Sequence, residues 1–208
     1  DIHQRPLDSV ALLIRNFVLQ KHRSNYLPDD ACSYKHPSNP HVIIAETMQK
    51  SLEQEPQFAV TANLAPQLHA RGIFIPQRIE VALCLAKLEA ERAALQRSDT
   101  LDPNALQAAG ERHALATVLC LTPEHAATLK QQARQNSHGL LELNPILVTL
   151  PDITDLNTFD VVLFTRIQAF EQHRLLDYES EITLPLRCSG LTPLQAGDHY
   201  RASLQIGS

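Results

Sequence analysis

The chain has 208 residues, 44% hydrophobic and 20% charged, enough to bury a core unaided, and no apolar run approaches the roughly 18 residues of a membrane span. A formal charge of -5, the absence of Trp, and only six Phe and four Tyr supply neither the positive field nor the stacking platforms that nucleic acid requires. Cys32, Cys84, Cys120 and Cys188 are far apart with no CxxC, which reads as reduced thiols in a soluble cytoplasmic protein; two bridges would instead indicate the periplasm.

In chain order, Asp8 or Ser9 caps a predicted helix carrying Val10, Leu12, Leu13, Ile14, Phe17, Val18 and Leu19 at helical spacing. Asn25 to Pro40, with three prolines, reads as a long ordered loop. Pro40 then opens a predicted helix with Val42, Ile43, Ile44, Met48 and Leu52 on its apolar side, stopped at Glu55-Pro56. Phe58 to Ala70 is a weaker helix broken at Pro66, with Gly72 as its cap and Ile73 to Ile75 as a connector.

Pro76 to Arg97 reads as the central helix. Pro76 fits its first turn, Ile79 to Leu88 is apolar on several sides, and Leu88 to Arg97 narrows to one stripe, leaving Glu89, Glu91 and Arg92 wet. Asp102-Pro103 caps and starts a helix expected to run through Leu106 and His113 to Leu121. Thr122-Pro123-Glu124 repeats the device for a helix ending near Asn136, and His138-Gly139 is a break.

From Leu140 the hydrophobic period shortens toward two. Strands are expected over Ile146 to Leu150, Phe159 to Phe170, Leu176 to Leu186 and Tyr200 to Ile206. The expected class is α+β, with a helical N-terminal two-thirds followed by a small, mainly antiparallel β C-terminal part, divided into residues 1–138 and 139–208. The stretch Ile182 to Ile206 carries a strand, Leu191-Thr192-Pro193, Gly197-Asp198 and a strand holding Tyr200. Over about an eighth of the chain it resembles the strand, loop and Tyr-containing strand of fibronectin type III-like sandwiches, which would imply a half-buried pair of strands there.

There is no GxSxG, P-loop, GxGxxG after a strand, or HExxH. Asp29, Asp30, Cys32, His36 and His41 share a loop and are of types that ligate zinc. Their C-x3-H-x4-H spacing matches no closed site, so an ordered cover with no metal and no cofactor is expected. Glu111, His113, Glu124 and His125 are placed on two neighbouring helices where acid and base could meet, with surface and capping roles as the simpler account. Asp177, Glu179 and Glu181 line one face of a strand, as a solvated face would.

With no catalytic frame, the sequence favours a non-catalytic protein-binding adaptor or assembly-complex subunit, with another protein as its partner. Its Ala, Leu, Gln and Arg enrichment and few Lys lean bacterial. Partner binding is assigned to Tyr200, Arg201, Ser203 and Gln205, on a final strand whose edge invites strand addition. The alternative is a hydrolase or metalloenzyme using the Asp29 to His41 loop. A nucleic-acid reading would need Arg78, Arg92, Arg97, Arg112 and Arg134 to gather on one face.

Overall fold

The computed structural model describes residues 27–48, 56–97, 102–135, 141–191, 193–203 and 205–206. The predicted helix over Val10 to Leu19 and the break at His138-Gly139 lie outside them. In chain order the elements are β1 (Val42–Ile44), α1 (Gln57–Leu64), β2 (Ile73–Ile75), β3 (Arg78–Ala86), α2 (Leu88–Arg97), α3 (Pro103–Ala109), β4 (His113–Leu121) and α4 (Pro123–Gln132). There follow β5 (Arg134–Gln135), β6 (Leu141–Glu142), β7 (Ile146–Thr149), β8 (Asp160–Phe170), β9 (His173–Leu175), β10 (Leu186–Arg187), β11 (His199–Ala202) and β12 (Gln205–Ile206).

The class is α+β, but the expected helical N-terminal two-thirds is wrong. Strands run through the chain, and the largest sheet is central and antiparallel, in the order β10-β8-β3-β4, with β9 also on β8. Its middle strands pair without slippage from Arg78↔Gln168 to Ala86↔Asp160, so the sheet joins chain from both sides of residue 138.

The first half of the expected central helix is β3. Ile79, Val81, Leu83 and Leu85 share one face, while Glu80, Ala82, Cys84 and Ala86 share the other. Because the second set is mostly small and apolar, the run looks continuous, and a fully buried strand cannot be told from a buried helix by period alone. Helix begins only after Lys87, and α2 leaves Glu89 and Arg92 exposed as expected but buries Glu91. The same confusion affected β4: α3 starts as expected, with Asp102 accepting from the Asn104 N–H at 3.0 Å and Pro103 in the first turn. It ends at Gly110, and Glu111, at φ 46°, turns the chain into a strand.

The helix expected after Pro40 is instead β1, paired in parallel with β2 so that Val42 faces Ile73 and Ile44 faces Ile75. The helix expected over Phe58 to Ala70 is present as α1, giving way to a 3-10 turn at Ala65–Gln67, where Pro66 sits. β7 and β8 lie where strands were expected. The expected strand Leu176 to Leu186 is mostly a loop with a 3-10 turn at Glu181–Thr183, and only Leu186–Arg187 joins the sheet. Tyr178 at φ 70° breaks the extended chain. Leu186–Arg187 pairs with β8, whereas His199–Ala202 pairs with β7 in another sheet.

Both faces of the central sheet are used. Ile79 and Val81 pack with Phe58 and Ala62 of α1 and Ala126 of α4; farther along that face Leu83 and Leu85 pack with Val148, Leu150, Phe159 and Val161. The opposite face buries Cys84, Ala86, Val162 and Phe164 with Leu88 of α2. Among the described residues no helix is long and apolar enough to cross a membrane.

Candidate functional site

The pairing of β3 with β4 slips twice. Val81 faces Leu119 and Ala82 faces Thr117, skipping Val118; Leu83 faces Ala116 and Cys84 faces Ala114, skipping Leu115. Each bulge adds a residue to β4, and bulges re-aim side chains and sharpen local twist. Both extra residues are apolar, and both line one cavity of about 240 Å³. Leu83, Val161 and Leu163 of the sheet form another part of its wall, and Val148 and Leu150 form the part facing them.

The remaining wall comes from Cys188, Leu191 and the run Tyr200, Arg201, Ala202 and Ser203. Three of the four residues assigned to partner binding therefore lie together at one cavity. Tyr200 and Ala202 pack against the core, while Arg201 and Ser203 are exposed. Tyr200 donates its hydroxyl to Asp198 Oδ2 at 3.4 Å; burial and the Asp198 carboxylate push the phenol above its ordinary pKa. Gln205 is not part of this group, because the chain changes sheets after β11 and Gln205 faces Glu142 of β6.

β11 has β7 on one side and no strand on the other among the described residues. The Leu150 N–H donates to Asp198 at 2.9 Å and its carbonyl accepts from Gly197 at 3.0 Å, so the Leu150 backbone faces β11. Antiparallel alternation then turns the backbone groups of Tyr200 and Ala202 toward β7, and those of His199 and Arg201 outward. Sequence alternation exposed the strand but not its end at Ala202 or its neighbour.

A buried charge network lies on the opposite side of the sheet. Arg112 reaches Glu91 through Nε at 2.6 Å and Nη2 at 3.1 Å, donates to Asp177 through Nη1, and covers the Phe164 ring at 3.8 Å from its centroid. Tyr178 donates its hydroxyl to Glu91, and Arg166 reaches Asp177 at 3.3 Å. Burial, then the Glu91 carboxylate, pushes the Tyr178 phenol far above its ordinary pKa. No buried side-chain polar atom among the described residues lacks a partner. Such closure suits a structural clamp.

Other nominated residues are dispersed. Asp30 accepts from the Cys32 N–H at 2.9 Å and from Ser33 Oγ at 3.2 Å, His36 bonds to Ser38, and His41 stacks on His69 at 4.3 Å. Glu111 pairs with Lys87 at 2.7 Å, His113 sets its ring edge against Phe159, and His125 sits beside Thr122. His113 begins β4, whose nine residues span roughly 25 Å, and His125 lies past its far end in α4, so the acid and base pairing does not form. Asp177 is buried in the clamp and Glu179 caps the Leu176 N–H at 2.6 Å, so neither is on a solvated strand face. No family model matches the chain, and comparison with curated proteins finds no relative.

Proposed function

We propose that the protein is a non-catalytic binding protein, an adaptor or complex subunit, which takes an extended segment of a partner chain along the free side of β11. The carrying observation is that His199 and Arg201 turn their backbone groups away from β7, leaving a row of donors and acceptors for an added strand. Arg201, exposed and without an ion pair among the described residues, favours a segment bearing a carboxylate. A reducing compartment such as the bacterial cytoplasm fits four cysteines outside any disulfide. The alternative hydrolase or metalloenzyme at the Asp29 to His41 loop gains no support from side chains already engaged with their local backbone.

Arg201→Pro removes an outward N–H while sparing the bonds to β7, as prolines on edge strands do. Peptides selected from a random display library on the folded chain should protect the Arg201 amide from hydrogen exchange and lose binding to Arg201→Pro. Peptides that bind the folded variant equally well, or protect only other amides, would refute strand addition here.

A further inference from the structure

We infer that the hollow over β3, β8 and β9, on the clamp side of the central sheet, is a binding site for a phosphomonoester group, with Arg78, Arg166 and Arg174 around it. This goes beyond the strand-addition reading and does not rest on it, because the hollow and β11 belong to different sheets.

The arginines converge by strand register. Arg78 of β3, Gln168 of β8 and Arg174 of β9 stand in one row across the sheet, and Glu80 and Arg166 stand opposite each other in the next. Two-residue alternation sends all five side chains out of the same face, whereas Ile167, between the rows, turns into the core on the other. Arg166 is therefore the diagonal neighbour of both Arg78 and Arg174, at roughly 7–8 Å, a gap that long side chains span. The hollow they line has a volume of about 280 Å³.

The ligand is argued from charge and from donors left open. Three arginines against Glu80 leave the lining with two positive charges in excess. Glu80 fixes Arg78 at 2.5 Å and Asp177 fixes Arg166 at 3.3 and 3.4 Å, yet the two arginine side chains stay 46% and 44% exposed. A guanidinium has five N–H donors, so each is positioned by one carboxylate and keeps donors for a ligand. Asp177 is itself shared with Arg112, and Arg174 is exposed and makes no hydrogen bond or ion pair among the described residues. Gln168 is committed to the Glu171 carbonyl at 2.8 Å and adds no charge.

A carboxylate would offer these donors two oxygens and a single charge. A phosphomonoester offers three strong acceptor oxygens and a charge of about −1.5 to −2 at pH 7. Three guanidiniums from three adjacent strands match the second, and arginine suits the paired N–H bonds that a phosphate accepts. A small phosphate ester and a phosphorylated side chain of a partner protein both carry this group.

Titration of the full chain at low salt with methyl phosphate and with a short phosphoserine peptide, followed by calorimetry and by NMR of the arginine Nε–H groups, tests the site. One methyl phosphate per chain is expected, with shifts at Arg78, Arg166 and Arg174. Dimethyl phosphate, with one charge and two free oxygens, should bind at least about tenfold more weakly. Affinity for methyl phosphate should rise between about pH 5 and pH 7, as the second phosphate proton leaves. Arg174→Ala leaves the clamp intact and should weaken methyl phosphate and the peptide alike by about tenfold. Tighter binding of the peptide than of methyl phosphate assigns the site to a partner's modified side chain, and binding no tighter assigns it to a small ester. No saturable binding, shifts confined to other arginines, equal binding of methyl and dimethyl phosphate, or unchanged binding by Arg174→Ala would overturn the inference. Arg201→Pro and the display peptides report only on β11, so either reading can fail without the other.

Discussion

Arg112 grips Glu91 with two nitrogens, at 2.6 and 3.1 Å, and the two side chains are only 5% and 0% exposed. Glu91 belongs to α2 and Arg112 to the turn into β4, while Asp177 and Tyr178 come from a loop after β9. Three separate stretches are thereby tied at one point. Removing one partner of such a pair leaves the other charge buried and uncompensated, at a cost of about 3–5 kcal/mol. Glu91→Ala is expected to destabilise by that amount in urea unfolding, whereas the sequence pattern had put Glu91 on the wet stripe of α2. A loss below about 1 kcal/mol would show that the network does not hold the fold.

Gly110 sits against the same pair. A Cβ there would lie 2.0 Å from Glu91 Oε1, so Gly110→Ala must drive the carboxylate out of its bidentate position. The expected loss is about 1–3 kcal/mol, in the range of overpacking. Combining it with Glu91→Ala should cost less than the sum of the two, because the second change removes the clash; strict additivity would exclude this contact as the cause.

Tyr178 makes stability sensitive to alkali. Its folded pKa is raised, first by burial and then by the Glu91 carboxylate, so above about pH 10 the unfolded chain releases a proton that the folded chain retains. Its contribution is therefore complete below the unfolded pKa and is lost as pH rises beyond it. Urea midpoints should fall between about pH 9 and pH 11, and Tyr178→Phe should flatten that fall. An unchanged slope in Tyr178→Phe would place the sensitivity elsewhere.

Packing and surface should separate cleanly on adjoining elements. Leu85 of β3 is 0% exposed within the core, and Leu85→Ala should cost about 2–5 kcal/mol. Glu89 of α2 is largely exposed and pairs only with arginines at the surface, and Glu89→Ala should cost less than about 0.5 kcal/mol. Chemical denaturation of the two variants checks the contrast.

Much of the local structure could be read in advance. Asp102-Pro103 marked the start of α3, Thr122-Pro123 that of α4, and the β-branched density of Val161, Val162 and Ile167 marked β8. β3 and β4 could not be read, because Ala82, Cys84, Ala114 and Ala116 filled the alternate positions with small apolar residues and erased the two-residue period. Arg112 and its partners were hidden for another reason: 21 residues separate it from Glu91 and 65 from Asp177, and only the sheet brings them together. At the cavity, alternation exposed Tyr200 and Ala202, but the bulges at Leu115 and Val118 depend on how β3 pairs and leave no mark in β4 alone.

The unbroken pairing of β3 with β8 also has a consequence during synthesis. Ala82 and Phe164 are paired although roughly 80 residues separate them, so the middle of the sheet closes only when late chain reaches early chain. At about 5–20 residues per second, β3 waits about 4–16 seconds and β4 about 2–9 seconds after leaving the ribosome before β8 follows them. Throughout that interval one edge of β3 has nothing to pair with, while one of its faces carries Ile79, Val81, Leu83 and Leu85. A nascent chain halted between residues 121 and 160 would be an adhesive fragment, and the completed chain loses that adhesiveness when β8 seats.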